Sequence, residues 1–190
     1  MKHFYYLILI LFSILGCNKQ NLQHINSQKT TELIHQILTD TTDNYINPGY
    51  ITEQFRFLSS IAPGVDFEKY VKSELRIENS DHLDEQLVYF KDFKINNHLA
   101  QRKNIITAKE FDNFERKAEK GDYQFWDWLE KNCDDGYISI SRPIFNEDFT
   151  KAIIIIANVA CPQCGGGETR MYEYKDGRWK ITQTSFEWIS

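Results

Sequence analysis

The stretch "AIIIIANVACPQCGGGETRMYEYKDGRWKITQT", residues 152–184, decides the fold class. Residues 152–160 are a nearly unbroken run of β-branched and small apolar side chains. Such a run suits a strand covered on both faces, because neither side offers water to a polar residue. "TRMYEYK" and "RWKITQT" then flank Asp176-Gly177, a pair that tolerates the positive φ of a two-residue hairpin. Upstream, "YISIS" (137–141) alternates, with Ile138 and Ile140 on one face and the serines on the other. Pro143 stands at the end of that strand, where a missing amide donor is tolerated. The C-terminal third therefore reads as an antiparallel meander of about four strands.

The part before it has the period of helices. In "TTELIHQILTD", Leu33, Ile34, Ile37 and Leu38 share a face, and Thr30 or Thr31 can cap it. "NPGY" at 47–50 is a turn. Segments 51–61 and 66–76 mix aromatics and charges at helical spacing, and 84–95 fits helix or strand. Thr107-Ala108-Lys109-Glu110 has the form of a capping box, with Phe111, Phe114 and Ala118 following at helical spacing. Gly121 ends that helix, and Asp122 opens a second one. There Phe125, Trp126, Leu129 and Cys133 share a face, which makes Cys133 a core thiol. Helices followed by a sheet give an α+β class, one domain over residues 31–190.

Composition is that of one globular unit. The chain has 190 residues, 42% of them apolar and 14% aromatic, with only four prolines and nine glycines. A chain of this length buries enough surface to fold without a metal or staples. The formal charge of −5, with no basic run interleaved with aromatics, argues against a nucleic-acid partner.

The N-terminus reads as an address. "MKHFYYLILILFSILGC" places Lys2 before a run from Phe4 to Leu15 broken only by Ser13. Twelve helical residues reach about 18 Å, short of a bilayer core of about 30 Å, so the run suits a secretory signal. Ile14-Leu15-Gly16-Cys17 resembles a bacterial lipobox. That resemblance implies cleavage before Cys17, acylation of its thiol and amino group, and a membrane partner reached through the anchor. Residues 1–16 are then signal, and 17–30 are the lipidated cysteine and a polar tether. Asn18 and Lys19 are not the Asp that retains enteric lipoproteins at the inner membrane, which favours the outer membrane.

Three readings compete for Cys161-Pro162-Gln163-Cys164. A redox couple sits at a helix N-terminus that stabilises its thiolate, but Gly165-Gly166-Gly167 and a strand pattern follow here. Zinc needs four ligands; Cys133 could be a third, but none of His24, His35, His82 or His98 lies at ligand spacing for the fourth. A disulfide across a strand connection fits the exported setting and is the expectation. No cofactor or metal is expected.

"SRPIF…AIIIIANVACPQCGGGETRMYEYKDGRWKI" resembles a segment of small bacterial envelope lipoproteins of uncharacterised activity. The residues that carry the match are Ser141, Phe145, Ala152, Cys161, Cys164, Gly165, Gly167, Trp179 and Lys180. The usual Gly after the first Cys is Pro162 here. The resemblance covers roughly the last fifty residues and implies an envelope setting, with no activity attached.

Catalytic patterns are sparse. No Gly-x-Ser-x-Gly, P-loop or dinucleotide glycine pattern occurs, and no histidine lies in the sheet third. Asp134-Asp135 and Glu147-Asp148 read as solvated turn residues. Tyr123 and Trp128 are left as candidate surface rings for a glycan, with Phe125 and Trp126 in the core. The expectation is a lipid-anchored, non-catalytic module that binds a protein, glycan or other envelope component. The alternative is an envelope enzyme, either thiol-redox or a hydrolase using carboxylates.

Overall fold

The computed structural model describes residues 22–57, 64–122, 124–132, 136–161 and 164–189. The signal segment, Cys17, Tyr123, Cys133 and Asp134-Asp135 lie outside these residues. Among them, no helix is long and apolar enough to cross a membrane.

Helix α1 spans residues 22–39. It begins well inside the segment expected to be a tether, so residues 22–30 belong to the fold. The reason is a hidden stripe. Asn26, Thr30, Leu33, Ile34 and Ile37 are all buried at helical spacing, but the first two are polar and mask the period. Thr30 is therefore a core residue, not a cap.

Strand β1 (Tyr50–Thr52) follows, then α2 (Phe67–Leu75), α3 (Ser80–Lys91), the single turn α4 (Asn97–Ala100) and β2 (Asn104–Ile106). Helices α5 (Ala108–Ala118) and α6 (Gln124–Asn132) lead to β3 (Tyr137–Ile140), β4 (Ile144–Phe145), β5 (Lys151–Cys161), β6 (Cys164–Lys175) and β7 (Arg178–Ile189). Of segment 51–61, expected to be helical, residues 51–52 belong to β1, 53–57 are irregular and 58–61 lie outside the described residues, while the ambiguous 84–95 segment is mostly α3. The α5 capping box is present as read. Thr107 accepts from the Glu110 amide, and Glu110 reaches back to the Thr107 amide. Asp122 accepts from the Gln124 amide at 3.1 Å.

The class is α+β, but the sheet differs from the expected four-strand antiparallel meander. Among the described residues it has seven strands in the order β2-β1-β3-β5-β6-β7, with β4 also pairing β5. It is mixed: β1 runs parallel to both β2 and β3, with Ile51 opposite Ile105 and Ile138. Three-residue strands are too short to show a period of two, and they sit among helical patterns. Their parallel pairing needs crossovers, which α2–α4 and α5–α6 provide. The antiparallel part, β3 to β7, lies where the alternation placed it.

Strand β5 is the spine. Ala152, Ile154 and Ile156 face one core with α1, Phe145 and Trp179. Ile153 faces α2 and α3, while Ile155 and Ala157 meet Phe55, Phe57, Phe67 and Phe90. Both faces are covered, as its composition required. Ser139 of β3 and Ser141 just after it are buried as well. Ser139 shares a 2.7 Å hydrogen bond with Thr52, and the Ser141 hydroxyl accepts from the Ile155 amide at 2.9 Å. Asp176 and Gly177 both have positive φ, +55° and +77°, as a type I′ hairpin demands. Gly136 also needs its missing side chain: a Cβ there would stand 2.1 Å from the Val159 carbonyl oxygen.

Candidate functional site

An apolar groove lies between α2, α3 and the irregular segment after β1. It has a volume of about 420 Å³ and is lined by Phe55, Phe67, Leu87, Phe90 and Phe93, with Gln54, Arg56, Glu68 and Lys91 also contributing. That volume falls in the usual range for small-molecule sites, roughly 300–1,000 Å³. Each element supplies its rings for a local reason. Leu83, Leu87 and Phe90 repeat at i, i+4 and i+7 along α3, so Leu83 is buried in the core while the other two reach the groove. Phe67 is the first residue of α2, whose N-terminus is capped by Asp66 accepting from the Lys69 amide. Its ring lies 5.7 Å from that of Phe90. Phe55 stands edge-on to Phe57 at 6.4 Å. The rings rest on Ile155 and Ala157 of β5.

One polar group of the lining is held by a neighbour outside it. Arg56 pairs with Asp112 at 2.6 Å and lies over the Phe111 ring. Nothing in the lining is a serine, threonine or cysteine. The groove can hold an apolar body, and its lining offers no hydroxyl or thiol nucleophile.

A second, smaller cleft of about 140 Å³ lies where α1 meets the first half of α3, and it is polar. His82, the one half-buried histidine among the described residues, is 3.1 Å from the Phe145 carbonyl oxygen and 2.8 Å from Gln86 Nε2. The Gln86 amide donates to the Phe145 carbonyl and accepts from the Phe145 N–H, each at 2.8 Å. It thereby pairs the outer edge of β4 as a neighbouring strand would. Its oxygen also accepts from Asn26 at 3.0 Å, and Asn26 in turn accepts from Arg142 at 2.6 Å. The cleft lining likewise includes no serine, threonine or cysteine, so His82 has none of these nucleophiles to activate there.

The third polar centre is buried Arg170 on β6. It pairs with Asp43 and Glu168 and lies over the Tyr45 ring. Burial opposes its charge, but hydrogen bonds to Asp43 and Tyr172 and the charge of Glu168 outweigh that and push its pKa up. Burial pushes the neighbouring Tyr172 phenol up. An arginine locked between two carboxylates organises the sheet surface and has no proton to give.

The residues singled out from the sequence are dispersed. Cys161 and Cys164 are register partners where β5 passes into β6. The three glycines run on as strand β6, so no helix begins at the pair. Glu147 accepts from the Glu78 and Asn79 amides at 2.9 and 2.7 Å, just before α3. These bonds hold its carboxyl below the usual range. Asp148 accepts from the Thr150 hydroxyl, which likewise lowers its pKa. Both carboxylates organise loops. Trp128 is no isolated surface ring: it stands edge-on to Tyr50 at 5.4 Å and lies 5.7 Å from Phe114. Phe125 is buried and Trp126 half-buried, in the same aromatic cluster. His24, His35 and His98 are exposed. Among the described residues no three His, Cys, Asp or Glu side chains converge as metal ligands would.

Sequence reasoning missed the groove. Its rings come from three separated segments, and only the Phe-rich spacing at 55–57, 67 and 90–93 hinted at them.

No family model, curated protein or solved structure matches this chain. Fold and site together define, among the described residues, an α+β protein with an apolar groove and separate polar centres.

Proposed function

We propose that this chain is a lipid-anchored protein of the bacterial cell envelope whose folded domain is a non-catalytic binding module. The groove between α2 and α3 carries the binding part of that reading. Its five apolar side chains, with Arg56 held by Asp112, suit an apolar molecule better than a glycan. A glycan would need donors and acceptors arranged around its hydroxyls. The address rests on the signal-length run and on Ile14-Leu15-Gly16-Cys17, with acylation of Cys17 and the outer membrane as the favoured surface. Within this reading Cys161 and Cys164 pair with each other and close the hairpin tip.

A neutral fluorescent probe, N-phenyl-1-naphthylamine, tests the groove. Its emission should rise saturably with the wild-type domain, and Leu87→Lys should weaken binding about tenfold or more, equivalent to about 1.4 kcal/mol. Equal binding by the two folded proteins would exclude the groove. Radiolabelled palmitate in a bacterial host tests the anchor: label in the wild type and none in Cys17→Ala is expected, and equal label would refute it.

A further inference from the structure

Three guanidinium groups among the described residues are at least partly withdrawn from water: those of Arg56, Arg142 and Arg170. Arg56 has Asp112 as its partner, and Arg170 has Asp43 and Glu168. Arg142 has no carboxylate within ion-pair distance among the described residues. Its Cζ lies 5.1 Å from the centre of the Tyr89 ring and 5.7 Å from that of Phe93. One N–H donates to Asn26 Oδ1 at 2.6 Å.

A half-buried cation faced by aromatic rings and one neutral amide is only partly compensated. Burial accordingly pushes the Arg142 pKa down, and the only charge acting on it is that of the Tyr89 phenolate, were it to form. The position is nonetheless rigid. Asn26 is buried and also donates to Gln86, which is clamped to both backbone groups of Phe145. The guanidinium is thus oriented before any ligand arrives, which lowers the ordering cost of binding.

We infer that Arg142 receives an oxyanion, the carboxylate or phosphate group of a ligand, on the N–H groups it does not spend on Asn26. The fork of a guanidinium matches two oxygens of either group. This site shares only Phe93 with the groove lining and stands whether or not the groove takes a ligand.

The test is an NMR titration of the soluble domain at pH 6, following the Arg142 Nε–Hε signal, assigned by its loss in Arg142→Lys. Sodium acetate and sodium phosphate are compared with sodium chloride at matched ionic strength. A saturable shift with an oxyanion and none with chloride is expected. Response to acetate alone assigns a carboxylate, response to phosphate alone a phosphate, and response to neither overturns the proposal. The oxyanion should also raise the thermal midpoint of the wild type and of Arg178→Gln, an exposed control, but not that of Arg142→Gln. An undiminished rise in Arg142→Gln would overturn it too. Should that variant fail to fold, Arg142→Lys keeps the charge without the fork and should bind at least about fivefold more weakly; unchanged affinity would again refute the site.

Discussion

The side-chain amide of Gln36 pairs with both backbone groups of Trp179, accepting from its N–H at 2.8 Å and donating to its carbonyl at 2.6 Å. Gln36 lies on α1, whereas Trp179 lies on β7 at the edge of the sheet. Gln86 does the same for Phe145 of β4. An open sheet edge invites pairing with another chain, and each helix here supplies one amide that fills part of it. Gln36→Leu keeps the bulk and removes the amide, so it should cost about 1–3 kcal/mol by leaving two backbone groups unpaired. Chemical denaturation measures this, and a cost near zero would show that water replaces the clamp.

Gly136→Ala should be among the more damaging small substitutions. The position has φ +77°, and a Cβ would lie 2.1 Å from the Val159 carbonyl oxygen. Gly121→Ala shares the positive φ, +81°, but meets no atom within 4 Å. The second change should therefore cost about 1 kcal/mol for backbone strain alone, and the first clearly more. Equal midpoints in urea would contradict the close approach.

Arg170→Met should cost about 3–5 kcal/mol, because Asp43 and Glu168 would be left as neighbouring carboxylates without their cation. The triple change Arg170→Met, Asp43→Asn, Glu168→Gln should recover much of that loss. A triple variant no better than the single one would place the cost in packing.

The α5 capping box carries a pH signature. Hydrogen bonds from the Thr107 hydroxyl and amide hold the Glu110 carboxyl below its usual 4.5. A lowered folded-state pKa adds stability that is complete above pH 4.5 and is lost as pH falls through the lowered value. Thr107→Ala should therefore cost about 0.5–2 kcal/mol at pH 7, and the gap should narrow in acid. A difference that stays constant between pH 7 and pH 3 would show that the carboxylate plays no part.

Replacing Cys161 and Cys164 together by Ser should cost about 2 kcal/mol or less, because the loop they would close is very short. Thiol counting by mass spectrometry checks the pairing, and a link from either residue to Cys133 would overturn it.

Several features were legible because they are local. A β-branched run such as 152–160 can satisfy its backbone and bury its side chains in few ways, so β5 was readable as a covered strand. Asp176-Gly177 specifies its own turn through φ, and Thr107 with Glu110 closes its own cap; neither needs a distant partner. The polarity of residues 22–30, by contrast, hid the first half of α1. Asn26 and Thr30 read as solvated until the fold brings Gln86 and Arg142 to Asn26 and buries Thr30. Strands β1 and β2 carry three side chains each, too few for a period, and their parallel pairing exists only once the crossovers bring them beside β3. The groove and the unpaired Arg142 belong to the same kind. Phe55, Phe67, Leu87 and Phe93 are ordinary apolar residues in the chain, and Arg142 an ordinary cation. Chain order alone determined the covered strand β5, the α5 cap and the 176–177 turn, whose energetics close within a few residues. Tertiary structure decided which rings converge and which charge lacks a partner, because burial and ion pairing depend on distances that sequence separation does not set.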